Sequence, residues 1–135
     1  MKMKTKTFNK EILIQVRDFI IQNPEKFDVF AILDSCRTVG CIAGWAGVLT
    51  HTYPERPLLS GPVSNLSALL FGRYRTDEQF KDVNKLCHYY YWSECCKDKY
   101  NNEPENRHLI AAKVIDKFIK DQEEKLIEDQ EEKAE

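Results

Sequence analysis

Cys41-Ile42-Ala43-Gly44-Trp45-Ala46-Gly47-Val48-Leu49-Thr50-His51 is the stretch whose reading decides the fold. It is apolar nearly all round, the pattern of a helix buried at the centre of a domain rather than one lying on its surface. Gly44 and Gly47 each cost about 1 kcal/mol in a helix interior relative to alanine. The small residues Gly40, Ala43, Gly44, Ala46 and Gly47 suggest what offsets that cost: another element packs very close to this backbone. So short an apolar run could also form a strand, but alanine and glycine are poor strand formers. The expectation is therefore a central helix over about 41–53, with Thr38 able to cap its start.

The segments on either side repeat the helical theme. Phe8, Ile12, Val16, Phe19 and Ile20 recur at spacings of three and four, and Ile14 and Ile21 widen the same face. This predicts a first helix over Phe8–Asn23, capped by Thr7 or Asn9 and stopped by Pro24. Phe27, Val29 and Phe30 anchor the connector that follows. Pro54, Pro57, Gly61 and Pro62 read as a loop, after which Ser64 caps a short helix over Asn65–Phe71 that ends at Gly72. Thr76 and Gln79 form a capping box for a helix through Phe80, Val83 and Leu86. The run Tyr89-Tyr90-Tyr91-Trp92 continues it or starts another helix that closes before Asn101. Pro104 opens a last helix whose apolar face is Leu109, Ala111, Ala112, Ile115, Phe118 and Ile119.

Beyond Lys120 that face fades to Leu126 and Ile127, and Asp121-Gln122-Glu123-Glu124-Lys125 is echoed at Asp129-Gln130-Glu131-Glu132-Lys133. Acid-before-base pairs four apart, Asp121/Lys125 and Asp129/Lys133, support a helix by a few tenths of a kcal/mol each, about 0.2–0.5. The expected organisation is an all-α bundle of five or six helices over 1–120, with a charged helical or fraying tail over 121–135.

Length and composition agree. The chain has 135 residues, 42% of them hydrophobic, with 7 Phe, 6 Tyr and 2 Trp, enough for one domain with a real core. Five Gly and five Pro argue against a turn-rich β-sandwich. No apolar run reaches the roughly 18–20 residues of a membrane span. The basic start, with Lys2, Lys4, Lys6 and Lys10, leads into an amphipathic stretch, which speaks against a cleaved secretory signal. Cytosol is the default location. The net charge of −2 hides a basic N-terminus, a strongly acidic tail and a neutral middle. That balance gives no basic excess for gripping nucleic acid.

Cys36-Arg37-Thr38-Val39-Gly40-Cys41-Ile42-Ala43-Gly44-Trp45-Ala46 resembles a motif of a group of small bacterial and phage proteins of uncharacterised function. Their core reads Cys-Gly-Thr-x-x-Cys-Ile/Leu-Ala-Gly-Trp/His-Ala. Asn23–Asp28 and the Ala111–Ile119 segment are similar to that group as well. The resemblance implies a shared fold and an important cysteine element, with Cys36, Thr38, Cys41, Gly44 and Trp45 as its motif positions. It brings no activity with it. Arg37 stands where the group usually has glycine.

The chemistry of the element leaves three readings. Both thiols are structural, buried beside a tight turn; or Cys36 and Cys41 form a disulfide or redox pair; or they help bind a metal. At the start of a helix the exposed N–H groups and the macrodipole stabilise a thiolate, so the position predicts a lowered Cys41 pKa. Zinc wants four Cys/His ligands. Beside Cys36 and Cys41 these would come from Cys87, His88, Cys95, Cys96 or His108. Adjacent residues on a helix point about 100° apart, so at most one of each neighbouring pair could coordinate. No cofactor is expected, and zinc is the lesser alternative. A cysteine nucleophile needs a histidine base, and neither His88 nor His108 has a motif around it, so the reading leans away from an enzyme. The leading expectation is a non-enzymatic interaction or accessory protein, its partner another protein or a second copy of itself. The runner-up is a redox or metal-binding protein using Cys36 and Cys41.

Overall fold

A computed structural model describes residues 8–28, 41–50, 61–72, 75–88 and 91–134, the side chains of 61, 62 and 129–134 excepted. These residues form six α-helices and two short 3-10 turns, with no strand among them. The helices are α1 (Lys10–Gln22), α2 (Ile42–Leu49), α3 (Gly61–Phe71), α4 (Asp77–Cys87), α5 (Glu94–Asn102) and α6 (Arg107–Ala134). The all-α bundle expected from periodicity is what the chain builds.

At the centre lies α2, with Ile42 through Gly47 all buried. Its neighbours are α1 and α3, and α1 in turn packs along α6 in the most extensive helix contact among the described residues. Helix α1 thus stands between α2 and α6. Trp45 fixes one side of α2, its ring 4.6 Å from that of Phe19 and its indole N–H donating to the Lys26 carbonyl at 2.7 Å. The helix ends at Leu49, earlier than expected. Thr50 turns its hydroxyl back to the Ala46 carbonyl at 2.8 Å, and residues 51–53 lie outside the described part.

The other helices differ from expectation mainly at their ends. Asn9 occupies the N-cap position of α1 without a side-chain cap, and its N–H instead donates to the Leu70 carbonyl of α3 at 2.8 Å. Helix α3 starts four residues before Asn65, because Pro62 sits in the first turn, where the missing N–H costs nothing. Ser64 is therefore inside the helix, and its hydroxyl accepts from Arg75 at 3.1 Å. Gly72 ends α3 at φ 82, a conformation that favours glycine. The capping box of α4 is present in full, with Gln79 N–H to Thr76 Oγ1 at 3.1 Å and Thr76 N–H to Gln79 Oε1 at 2.8 Å. α4 stops at Cys87, and Ser93 caps a separate α5. Trp92 fills the corner between them, its indole N–H on the Leu86 carbonyl at 2.9 Å and its ring edge-on to Tyr100.

Helix α6 runs unbroken across the boundary expected at 120/121. Its buried face is Ile110, Ala111, Ala112, Ile115, Phe118 and Ile119, while Leu109, expected inside, is 41% exposed. The apolar face fades after Ile119 as expected, with Ile127 55% exposed, but contact with α4 continues through polar groups: Gln122 is buried and donates to Asp82 at 2.9 Å. Lys125 reaches the same carboxylate at 2.7 Å and Glu78 at 3.4 Å, so it pairs across to α4 rather than back to Asp121. The Asp82 side chain is only 17% exposed, and a partly desolvated carboxylate attracts the ammonium more strongly than one in open water. Ion pairs Lys10–Glu123 and Arg17–Asp116 fix α1 antiparallel to α6 in one register. Among the described residues no helix is long and apolar enough to cross a membrane.

Candidate functional site

Two places gather chemistry-bearing residues: the start of α2, and a groove between α6 and the α4–α5 corner. Of the cysteine motif, Cys36 and Thr38 lie outside the described residues. Cys41 is the N-cap of α2, one position earlier than a first-turn residue, and its sulfur accepts from the Gly44 N–H at 3.5 Å. Gly44 and Trp45 are buried and structural in their contacts.

Among the described residues, the fold brings Cys87, the last of α4, to Cys41. The Ala43 N–H faces both sulfurs, so two thiols share one helix start. Contrary to the expected activation, burial pushes the Cys41 thiol up, against the opposing pull of the Gly44 and Ala43 N–H groups. Cys87 is pushed well above the ordinary thiol value, first by burial and then by Cys41 itself. Desolvation outweighs the helix terminus here because burial strips hydration from a thiolate, most completely at the buried Cys87 and in part at the half-buried Cys41. Neither cysteine is in a disulfide.

The remaining candidate ligands point elsewhere. His88 is exposed, its Nδ1 2.7 Å from the Asn84 carbonyl. Cys95 is exposed, Cys96 is half-buried at the groove, and His108 is half-buried near the start of α6. Among the described residues no three His, Cys, Asp or Glu side chains cluster as metal ligands would. Sequence reasoning weighed Cys87 only as one of several ligands. Its apolar setting on α4, after Val83 and Leu86 on one face, was the signal that it points inward.

The groove has a volume of about 580 Å³. Its floor is the buried Leu86, Trp92 and Phe118, and Tyr91, 59% exposed, stands at its side. It is lined by Lys85 of α4 and by Lys113, Lys117, Asp121, Glu124 and Glu128 of α6. None of these six forms an ion pair within the described residues, in contrast to Lys125 and Asp82 beside them. Of the aromatic run, the two described residues divide: Trp92 is buried and Tyr91 exposed.

Comparison with protein-family models, with curated proteins and with solved structures finds no match to this chain.

Proposed function

We propose that the protein is a non-enzymatic interaction or accessory protein, and that its working surface is the groove between α6 and the α4–α5 corner. The observation that carries this reading is the combination of an apolar floor, an exposed tyrosine and six charges without an ion pair among the described residues, all lining one groove. Protein interfaces combine an apolar, aromatic-rich centre with a polar rim, and exposed aromatics are common anchors of such contacts. The mixture of signs suits a protein partner better than a polyphosphate chain, which calls for cations alone.

The thiol reading has less support. Burial holds Cys41 and Cys87 in the protonated form, whereas a redox or metal-ligating sulfur acts as the thiolate. Reduced, inward-facing thiols fit a reducing compartment such as the cytosol, and the motif resemblance to small bacterial and phage proteins fits a structural role for the cysteine element.

Site-specific photo-crosslinking tests the groove. A benzophenone side chain replacing Tyr91 should give a discrete protein adduct in cells, and the same group replacing the exposed Glu25, outside the groove, should not. Equal labelling at both positions, or none at Tyr91, would overturn the assignment.

A further inference from the structure

We infer that the groove is filled by a second copy of this chain, with α6 lying antiparallel on α6 about a two-fold axis. This rests on the reading of the groove as a protein-binding surface and names its partner. Along the groove side of α6 the unpaired residues run Lys113, Lys117, then Asp121, Glu124 and Glu128. The strip is therefore basic at one end and acidic at the other, over roughly 22 Å of helix at 1.5 Å per residue. A strip of that kind is complementary to itself when reversed. Two-fold symmetric interfaces require this property, because each patch must meet its own copy.

The register is specific. Lys113 and Glu128 are equidistant from the midpoint between Lys120 and Asp121, and so are Lys117 and Glu124. A single antiparallel alignment about that midpoint sets Lys113 against Glu128 of the second copy and Lys117 against Glu124, and two-fold symmetry repeats each pair. Four inter-chain ion pairs form together, and no ion pair among the described residues has to be broken. Asp116 and Glu123, which already hold Arg17 and Lys10 of α1, are not lining residues of the groove. Between the charged ends, Val114 and the exposed Tyr91 offer apolar area for the incoming helix to cover. One element opposes the pairing: Asp121 sits beside the axis and meets its own copy, a like-charge contact.

Charge exchange on the full chain, read by sedimentation equilibrium, tests the inference. The wild type should associate to twice 15.9 kDa, and less so at 1 M salt, where screening is nearly complete within about 3 Å. Lys117→Glu alone and Glu124→Lys alone each replace two attractive pairs by two repulsive ones and should weaken the dimer by about tenfold or more. The double variant Lys117→Glu/Glu124→Lys restores opposite charges at the same contacts and should recover affinity to within about threefold. Asp121→Asn should strengthen association. All three positions are at least partly exposed, and unchanged circular dichroism would show that each variant folds. A wild type that stays at 15.9 kDa throughout, or a double variant no better than the singles, would overturn the inference. Self-association is separable from the broader reading. A monomer whose Tyr91 probe still captures a different protein sinks the dimer alone, and a monomer with no adduct sinks both.

Discussion

Gly44→Ala tests whether α2 is approached as closely as its composition implies. On an exposed helix this change stabilises by about 1 kcal/mol, because alanine loses less backbone entropy than glycine. Burying the added methyl where there is room contributes up to about 0.8 kcal/mol more. Gly44 has no such freedom: it lies inside the buried run Ile42–Gly47, its N–H is committed to the Cys41 sulfur at 3.5 Å, and α1 and α3 pack on this helix. Forcing a methylene-sized group into a filled core costs about 1–3 kcal/mol. Near the upper end of that range the steric term outweighs the gains, and we expect a net loss of about 1 kcal/mol. Urea unfolding followed by tryptophan fluorescence and circular dichroism would read it as a lower midpoint at constant slope. A midpoint that rises would refute the close-packed reading of α2, since the helix would then have had space to spare.

Three further outcomes follow from the packing. Burial raises the Cys41 and Cys87 thiols above their ordinary value of 9.0. The stability tied to their protonated form is therefore complete below pH 9 and declines as pH climbs toward the folded-state values. Cys87→Val should flatten this alkaline decline in denaturant midpoints, and a decline of unchanged steepness would count against the buried-thiol account. Asp82→Ala strips the buried Gln122 amide of its acceptor and Lys125 of its partner, so unfolding free energy should fall by about 2 kcal/mol. Asp82→Asn, which keeps an acceptor oxygen for Gln122, should lose less, and equal losses would deny the bond its role. Thr76→Ala removes one half of the α4 capping box and should cost about 1 kcal/mol in the same assay; a change within error would mean that the cap is redundant.

The parts of the fold legible in the sequence were those set by neighbours in the chain. The Thr76/Gln79 box, the stop at Gly72 and the apolar rod after Cys41 each depend on residues a few positions apart; the first two formed as expected, and the third formed as a buried helix that ends early, at Leu49. Pro62 misled because proline marks a loop and a helix's first turn equally well. Leu109 and Ile110 exchanged places because adjacent residues differ by only 100° around a helix, and the docking of α6 decides which of them turns inward. The Cys41–Cys87 meeting was out of reach for a different reason: it depends on where the end of α4 lands relative to the start of α2, which no local pattern encodes. Likewise the charges of α6 were visible as letters. That Asp116 and Glu123 serve α1, while Lys113, Lys117, Glu124 and Glu128 form no ion pair among the described residues, emerges only from packing. The expected acid-to-base pair Asp121/Lys125 gave way to Asp82 because a carboxylate on a neighbouring helix, partly withdrawn from water, is the stronger attractor.

Zero-length carbodiimide crosslinking of a mixture of isotopically light and heavy full chains, read by mass spectrometry, addresses the groove most directly. Lys10–Glu123 and Lys125–Glu78 should appear as bonds within one chain, since their atoms lie 3.4 Å apart in each case. The account predicts mixed-isotope bonds joining Lys113 to Glu128 and Lys117 to Glu124. If those internal bonds form and no lysine of the groove joins an acid of another chain, the surface does not bind its own copy and the assignment is contradicted.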